Sequence, residues 1–259
     1  MLKKRLFQIC VELTNGKLSS KAIQKLTKSS ASRLLIPAFI KTYGINTYEP
    51  LKEISEFKNL NEFFIREIHP KLRPIAEGEE VIASPTDGLI SEIGKIDEDA
   101  SFVVKGQEYS VKTLLADKNR AKELAGGTYM VVYLSPKNYH RIHIPTSSNK
   151  IEEYTLGRHS YPVNKLGLEL GDNVLSYNYR RVFKISNDKI NYDLVAVGAQ
   201  NVNSIISTHK TEVLEKGNEL GYFEFGSTVV LLFPGNSADF SEVKTPMEIK
   251  MGQKIGSIL

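Results

Sequence analysis

Residues 221–233 read GYFEFGSTVVLLF, and the fold turns on how this stretch is interpreted. Its second half, Val229 to Phe233, is an unbroken apolar run of strand length, the pattern of a strand buried on both faces. Its first half alternates: an extended chain sends Tyr222, Glu224 and Gly226 to one side and Phe223 and Phe225 to the other. Between the halves stands Gly226-Ser227-Thr228. Glycine packs nothing inside a strand, and a buried hydroxyl requires a partner. A bulge accounts for a lone G-S-T; a serine kept for chemistry is the other reading.

Outward from this stretch, strand-like runs recur between Gly, Asp and Asn. They are GLISEIGKI (88–96), SFVVKG (101–106), TYMVVYLS (128–135), KIEEYTL (150–156), RRVFKIS (180–186) and YDLVAVGA (192–199). One helical piece, VKTLLADKNRAKELAG (111–126), interrupts them, and EVKTPMEIKMGQKIGSIL (242–259) reads as two short strands about a turn at Gly252. The first 70 residues have a helical pattern, punctuated by Pro37 and Pro50, with LNEFFIREI (60–68) at helical spacing. The expected fold class is α+β, with amphipathic helices over 1–70 followed by a mainly antiparallel, β-rich body over 71–259 that closes on itself. TDGLISEIG and KMGQKIGSI resemble the paired turns of lipoyl-type domains, which implies a barrel-sandwich arrangement.

Composition sets the outer bounds. At 259 residues, 41% hydrophobic and 25% charged, the chain is long enough and apolar enough to bury a core. Its single cysteine, Cys10, excludes an internal disulfide framework and any zinc site built on several thiolates. No window approaches 18 uninterrupted apolar residues, and the start MLKKRLFQICVELTNGK lacks the long apolar stretch and small-residue cleavage site of a secretory signal. Charge is unevenly spread: residues 1–50 carry +7 of a net +4, leaving −3 for the remainder. A basic arm suggests an anionic partner. Apolar residues interleaved with the lysines (Leu2, Leu6, Phe7, Ile9, Leu13, Ile23, Leu26) suit an amphipathic helix on a lipid surface, and aromatic residues for stacking nucleic-acid bases are sparse.

Two further segments carry chemistry-bearing residues. ASPTDGLI (83–90) places Asp87 before Gly88, by itself a turn signal. LSPKNYHRIHIP (134–145) gathers Tyr139, His140, Arg141 and His143 between Pro136 and Pro145, which disfavours a regular helix. H-x-x-H without a third imidazole or clustered carboxylates is a weak metal signature, and no metal is expected. Asp87, His143 and Ser227 together suit nucleophile activation: the hydroxyl needs a base, and a carboxylate can orient an imidazole. Ser227 lacks the G-x-S-x-G elbow of the α/β-hydrolases, and from a strand-like run its hydroxyl can reach its own preceding carbonyl.

SPTDGLI, LSPKNYHRIHIP, SYPVNKLG, LSYNYRRV, VGAQNVNSI and KGNELGYFEFGSTVVLLF, with LNEFFIRE ahead of them, resemble in content and order the phosphatidylserine decarboxylase proenzymes of the short prokaryotic type. The resemblance runs over roughly residues 55–235. It implies a pyruvoyl enzyme made by self-cleavage between Gly226 and Ser227. Asp87 would orient His143, the base; Ser227 would be the nucleophile and the source of the pyruvoyl cofactor. A β chain 1–226 and an α chain 227–259 would result. It further implies decarboxylation of phosphatidylserine to phosphatidylethanolamine. That reaction needs a proton donor, for which His140 is the candidate because it flanks His143 on the same loop. Arg141, a cation suited to a phosphate or carboxylate, and Tyr139 are the candidate substrate contacts. A homodimer, peripheral on the cytoplasmic face of the cell membrane, would match the family, with no nucleic-acid partner. In a regular strand His140 and His143 would face opposite sides, so both serve one site only if the backbone departs from β geometry. Asn138 stands where many members carry an acid, which puts a second acidic helper in doubt. Two alternatives follow from the residues alone: a non-catalytic lipid-binding module of the same fold, and a serine hydrolase using Ser227.

Overall fold

The computed structural model describes residues 24–158, 161–163, 165–199, 205–224 and 227–259. Gly226, residues 1–23 of the basic arm, and parts of SYPVNKLG and VGAQNVNSI lie outside them. Fifteen strands follow in the described residues: β1 (Val81–Ala83), β2 (Gly88–Lys95), β3 (Ser101–Val104), β4 (Gln107–Ser110), β5 (Thr128–Leu134), β6 (Arg141–His143), β7 (Lys150–Leu156), β8 (Arg180–Ser186), β9 (Asn191–Gly198), β10 (Ile205–Ser207), β11 (Glu219–Phe223), β12 (Ser227–Phe233), β13 (Ala238–Asp239), β14 (Met247–Ile249) and β15 (Lys254–Ile258).

The principal sheet is antiparallel in the order β14-β2-β5-β12-β9-β8-β7, with β12 at its centre. Its central strand β12 is buried along its whole length and apolar from Val229 to Phe233, because both faces are covered. Val229, Leu231 and Phe233 join one core with Ile142, Leu220 and Phe223 from a small sheet ordered β10-β11-β6. Val230 and Leu232 join the other, with Val111, Leu114, Leu124, Val174 and Leu175 from helices and with Phe102 and Tyr109 from the β3–β4 hairpin. Burying five such side chains of β12 contributes on the order of 10 kcal/mol before entropy is counted. That burial, with ladders on both edges, ties residues 227–259 to the rest of the molecule.

Several expectations change in three dimensions. GYFEFGSTVVLLF holds two strands of different sheets, β11 ending at Phe223 and β12 beginning at Ser227, so Ser227 opens a strand and is not a bulge within one. The helix expected over 60–68 ends at Phe64, because the chain then turns to bridge Ile68 to Pro50. The helix expected over 111–126 breaks into Val111–Leu115 and Lys118–Leu124: Ala116 is left-handed (φ 52°) and Asp117 caps the backbone amides of Asn119 and Arg120. The body does not close into a barrel, and its principal sheet ends at β14 and β7. The two lipoyl-like segments do not pair with one another: each pairs with the strand that precedes the other, β2 with β14 and β15 with β1, on either side of the expected turn at Gly252 (φ 84°).

Ahead of the strands, helix Ile36–Tyr43 packs Ile36 into a separate cluster with Ile45, Phe57, Leu60 and Phe63. Gly44 ends this helix in the left-handed conformation.

Candidate active site

Ser227 opens β12, where it faces Leu134 of β5 on one side and Gly198 of β9 on the other. It is fully buried, and its Oγ has no hydrogen-bond partner among the described residues. Among the eight other buried polar side-chain atoms of the described residues in that condition, two lie close by in the chain or in space: Oγ1 of Thr228, next in the strand, and Nε2 of His140. An unpaired buried polar atom costs about 1–3 kcal/mol, so a hydroxyl left this way asks for an explanation in chemistry.

His140 and Ser227 are drawn to one corner of the molecule by two short tethers. Leu134, opposite Ser227, leads through five residues to His140, and Phe223, four residues before Ser227, donates its amide to the His140 carbonyl at 3.0 Å. The His140 ring lies against Phe64, centroids 4.0 Å apart, and its Nδ1 donates to the Asn138 carbonyl at 2.9 Å. Nδ1 therefore carries the proton, and Nε2 presents an unshared lone pair. Burial, reinforced by the nearby Arg66 guanidinium, pushes this imidazole down to about 3, so it is neutral at neutral pH.

His143 lies three residues on, at the end of β6 opposite Glu219. The β6–β11 register slips between Glu219 and Gly221, and His140 precedes the strand, so the segment does depart from regular β geometry. Both histidines are buried, in different surroundings. His143 Nδ1 donates to the Gly217 carbonyl at 2.8 Å, and Nε2 accepts from the Tyr139 hydroxyl at 3.0 Å. Burial lowers its basicity, opposed in part by the Gly217 bond and by the charges of Glu219 and Asp87.

Asp87 is buried beside this loop, but it does not orient His143 by direct contact. Arg73 holds its two oxygens at 2.8 and 2.6 Å, and the Met251 amide donates to it at 2.9 Å. The tautomer of His143 is set by the Gly217 carbonyl instead. Gly88 is where the backbone needs a glycine: a Cβ there would meet the Tyr133 carbonyl oxygen at 2.7 Å, so the absent side chain lets β2 close on β5 immediately after Asp87. A cleft of about 420 Å³ opens beside this carboxylate, lined in part by Asn46, Glu49, Arg73, Lys137 and Lys250.

The two expected substrate contacts are occupied internally. Arg141 donates to Glu219 at 2.7 Å and to the Ile65 carbonyl at 3.0 Å, and it lies 3.2 Å from Glu67. The Tyr139 hydroxyl is spent on His143. Asn138 turns its Oδ1 inward, accepting from Ser135 Oγ at 2.7 Å and from the Ser135 amide at 2.9 Å.

This arrangement has counterparts. A family model described as phosphatidylserine decarboxylase matches residues 60–257. The chain belongs to the phosphatidylserine decarboxylase family. Proteins called phosphatidylserine decarboxylase proenzyme match over all of this chain and 99% of their own length: one from Bacillus thuringiensis subsp. konkukian (strain 97-27) at 41% identity, and one from Bacillus cereus (strain ATCC 10987 / NRS 248) at 42%. The chain is thus an enzyme of the carboxy-lyase class.

Within this phosphatidylserine decarboxylase fold, sequence reasoning missed three side chains that build the site. Phe64 roofs His140. Arg66, nearly fully buried, donates to the Lys137 carbonyl at 2.8 Å and the Asn138 carbonyl at 3.3 Å, and so shapes the histidine loop. Arg73 neutralises Asp87. LNEFFIRE had marked the neighbourhood of the first two; nothing about Arg73 in a basic, proline-flanked stretch distinguished it from a solvated charge.

Proposed function

We propose that this phosphatidylserine decarboxylase is a precursor that cuts itself between Gly226 and Ser227, and then converts phosphatidylserine to phosphatidylethanolamine and carbon dioxide through a pyruvoyl group made from Ser227. The observation that carries the proposal is the buried Ser227 hydroxyl, unpartnered among the described residues, at the head of the central strand.

In the cut, Oγ of Ser227 bonds to the Gly226 carbonyl carbon. The carbon–nitrogen bond breaks, the nitrogen takes the hydroxyl proton, and the amide becomes an ester. His143 is the proposed carrier of that proton; its Nε2 is held by Tyr139, so the Tyr139 hydroxyl must relay the proton or swing aside. Loss of the Ser227 α-proton with rupture of the Cβ–oxygen bond frees a Gly226 carboxylate. Addition of water with release of ammonia then leaves the ketone at residue 227. The surroundings of Ser227 suit that group, being dry and part of a strand that stays paired on both edges after the cut. Once formed, the pyruvoyl group supplies an electron sink for the charge that carbon dioxide leaves behind. His140 is the proposed proton donor at the reacting carbon. Neutral at rest, it can donate from Nε2 only after taking up a proton inside the site.

The basic N-terminal region is proposed to meet the membrane that holds the substrate. Leu34 and Tyr48 are 83% and 88% exposed, in the same region as the cations Arg33 and Lys41. No helix among the described residues is long and apolar enough to cross a membrane.

Intact mass of the purified protein tests the proposal: two chains, 1–226 and 227–259, with a borohydride-reducible carbonyl on the second. Ser227→Ala and His143→Ala should each remain one chain. A folded, decarboxylating sample with an uncut chain would overturn the proposal. A serine hydrolase would instead give an acyl adduct on Ser227 in one chain, and a binding module one unmodified chain.

A further inference from the structure

Glu224 stands three positions before Ser227 and takes no part in the chemistry just described, yet it is buried and ion-paired. Lys28 Nζ lies 2.5 Å from its Oε1, and Gln24 Nε2 donates to its Oε2 at 2.8 Å, a contact spanning 200 positions of sequence. Both partners come from the helical turn at residues 24–28, midway along the basic arm and just ahead of the 3-10 helix Ser30–Leu35 and helix Ile36–Tyr43. A carboxylate that is 4% exposed is costly without a cation, so the arm and Glu224 hold each other in place.

The location of this pair is what matters. Downstream, Ser227 is fixed in the ladder between Leu134 and Gly198. Upstream, the Phe223 amide is bonded to the His140 carbonyl, and the Glu224 side chain is pinned by Lys28 and Gln24. The chain is therefore anchored on both sides of a two-residue interval that contains the Gly226–Ser227 bond. Attack of a hydroxyl on its own preceding carbonyl requires the two atoms to be held within about 3–3.5 Å, and small displacements of such a pair lower rates steeply.

We propose that Glu224, gripped by Lys28 and Gln24, is a positioning residue for self-cleavage: this turn of the basic arm holds the chain upstream of the scissile bond so that the Ser227 hydroxyl meets the Gly226 carbonyl. This rests on the self-cleavage reading above. It gives the arm a second task, in maturation, separate from any contact with lipid. Lys28 is 44% exposed, so its substitution leaves the core intact and the pair remains sensitive to salt.

The test follows the appearance of the two fragments by intact mass during cell-free synthesis of the full chain. Lys28→Ala and Glu224→Gln should slow the cut on the order of tenfold or more. Lys28→Arg should cut like wild type, and the charge-swapped pair Lys28→Glu with Glu224→Lys should recover much of the lost rate. Added salt should slow the wild type and leave Lys28→Ala unchanged. Wild-type rates in both single variants, or slowing that neither Lys28→Arg nor the swapped pair relieves, would overturn the positioning role. An uncut but folded wild type would instead remove the self-cleavage reading on which it stands.

Discussion

Arg73 grips Asp87 edge to edge, Nε to Oδ1 at 2.8 Å and Nη2 to Oδ2 at 2.6 Å, and the same Nη2 reaches Glu49 at 3.3 Å. Both members of the pair are buried, and the Met251 amide adds a third bond to the carboxylate. Asp87 is thereby a junction between the segment before β1 and the turn between β14 and β15. Its influence on His143 is that of a nearby charge, not of a hydrogen bond.

Removing one partner of such a pair strands the other. Arg73→Ala is expected to destabilise the fold by about 3–5 kcal/mol, read as a lower denaturant midpoint. Arg73→Lys, which keeps the charge and loses the two-pronged geometry, should fall between it and wild type. Equal midpoints for all three would show that the pair contributes nothing.

The buried His140 makes stability depend on pH in a defined direction. Its imidazole titrates near 3 when folded, through burial and the Arg66 charge, and near about 6.5 when unfolded. The unfolded chain thus takes the proton first, and stability is intact above about pH 6.5 and lost progressively as pH falls toward 3. Between about pH 6.5 and 5 the wild type should lose about 2 kcal/mol more than His140→Asn, measured by denaturation at each pH.

Phe64 keeps that ring dry. Phe64→Ala should admit water beside His140 and raise its pKa from about 3 toward the ordinary value, an effect that proton NMR of the imidazole reads directly. The same change should cost about 3–5 kcal/mol of stability through the lost ring.

Thr228 carries a buried hydroxyl without a partner among the described residues. Thr228→Val keeps the shape and removes the unsatisfied group, so the thermal midpoint should rise, by about 1 kcal/mol in stability. A fall would reveal a partner for the hydroxyl.

The membrane reading is tested at the surface. Leu34→Asp should weaken flotation with anionic vesicles and leave the denaturant midpoint unchanged, because Leu34 is 83% exposed. Deleting residues 1–50 is the poorer test, since it removes Ile36 and Ile45 from the cluster that buries Phe57 and Phe63.

Local pattern alone determined a good deal. The runs 150–156 and 180–186 are strands with the ends expected of them, because period and apolar continuity are properties of the neighbouring residues themselves. The α+β class and the Gly252 turn followed from the same kind of signal, and six motifs in order pointed to the family. Tertiary structure alone decided that GYFEFGSTVVLLF changes sheets between Phe223 and Ser227, that Asp87 is bound to Arg73, that the lone pair of His143 is spent on Tyr139 while that of His140 is unshared among the described residues, and that Lys28 reaches Glu224. Each of these is a choice of partner between residues distant in the chain or competing for one donor. Such choices are made by packing and by the cost of burying an unpaired charge, and neither leaves a periodic mark on the sequence.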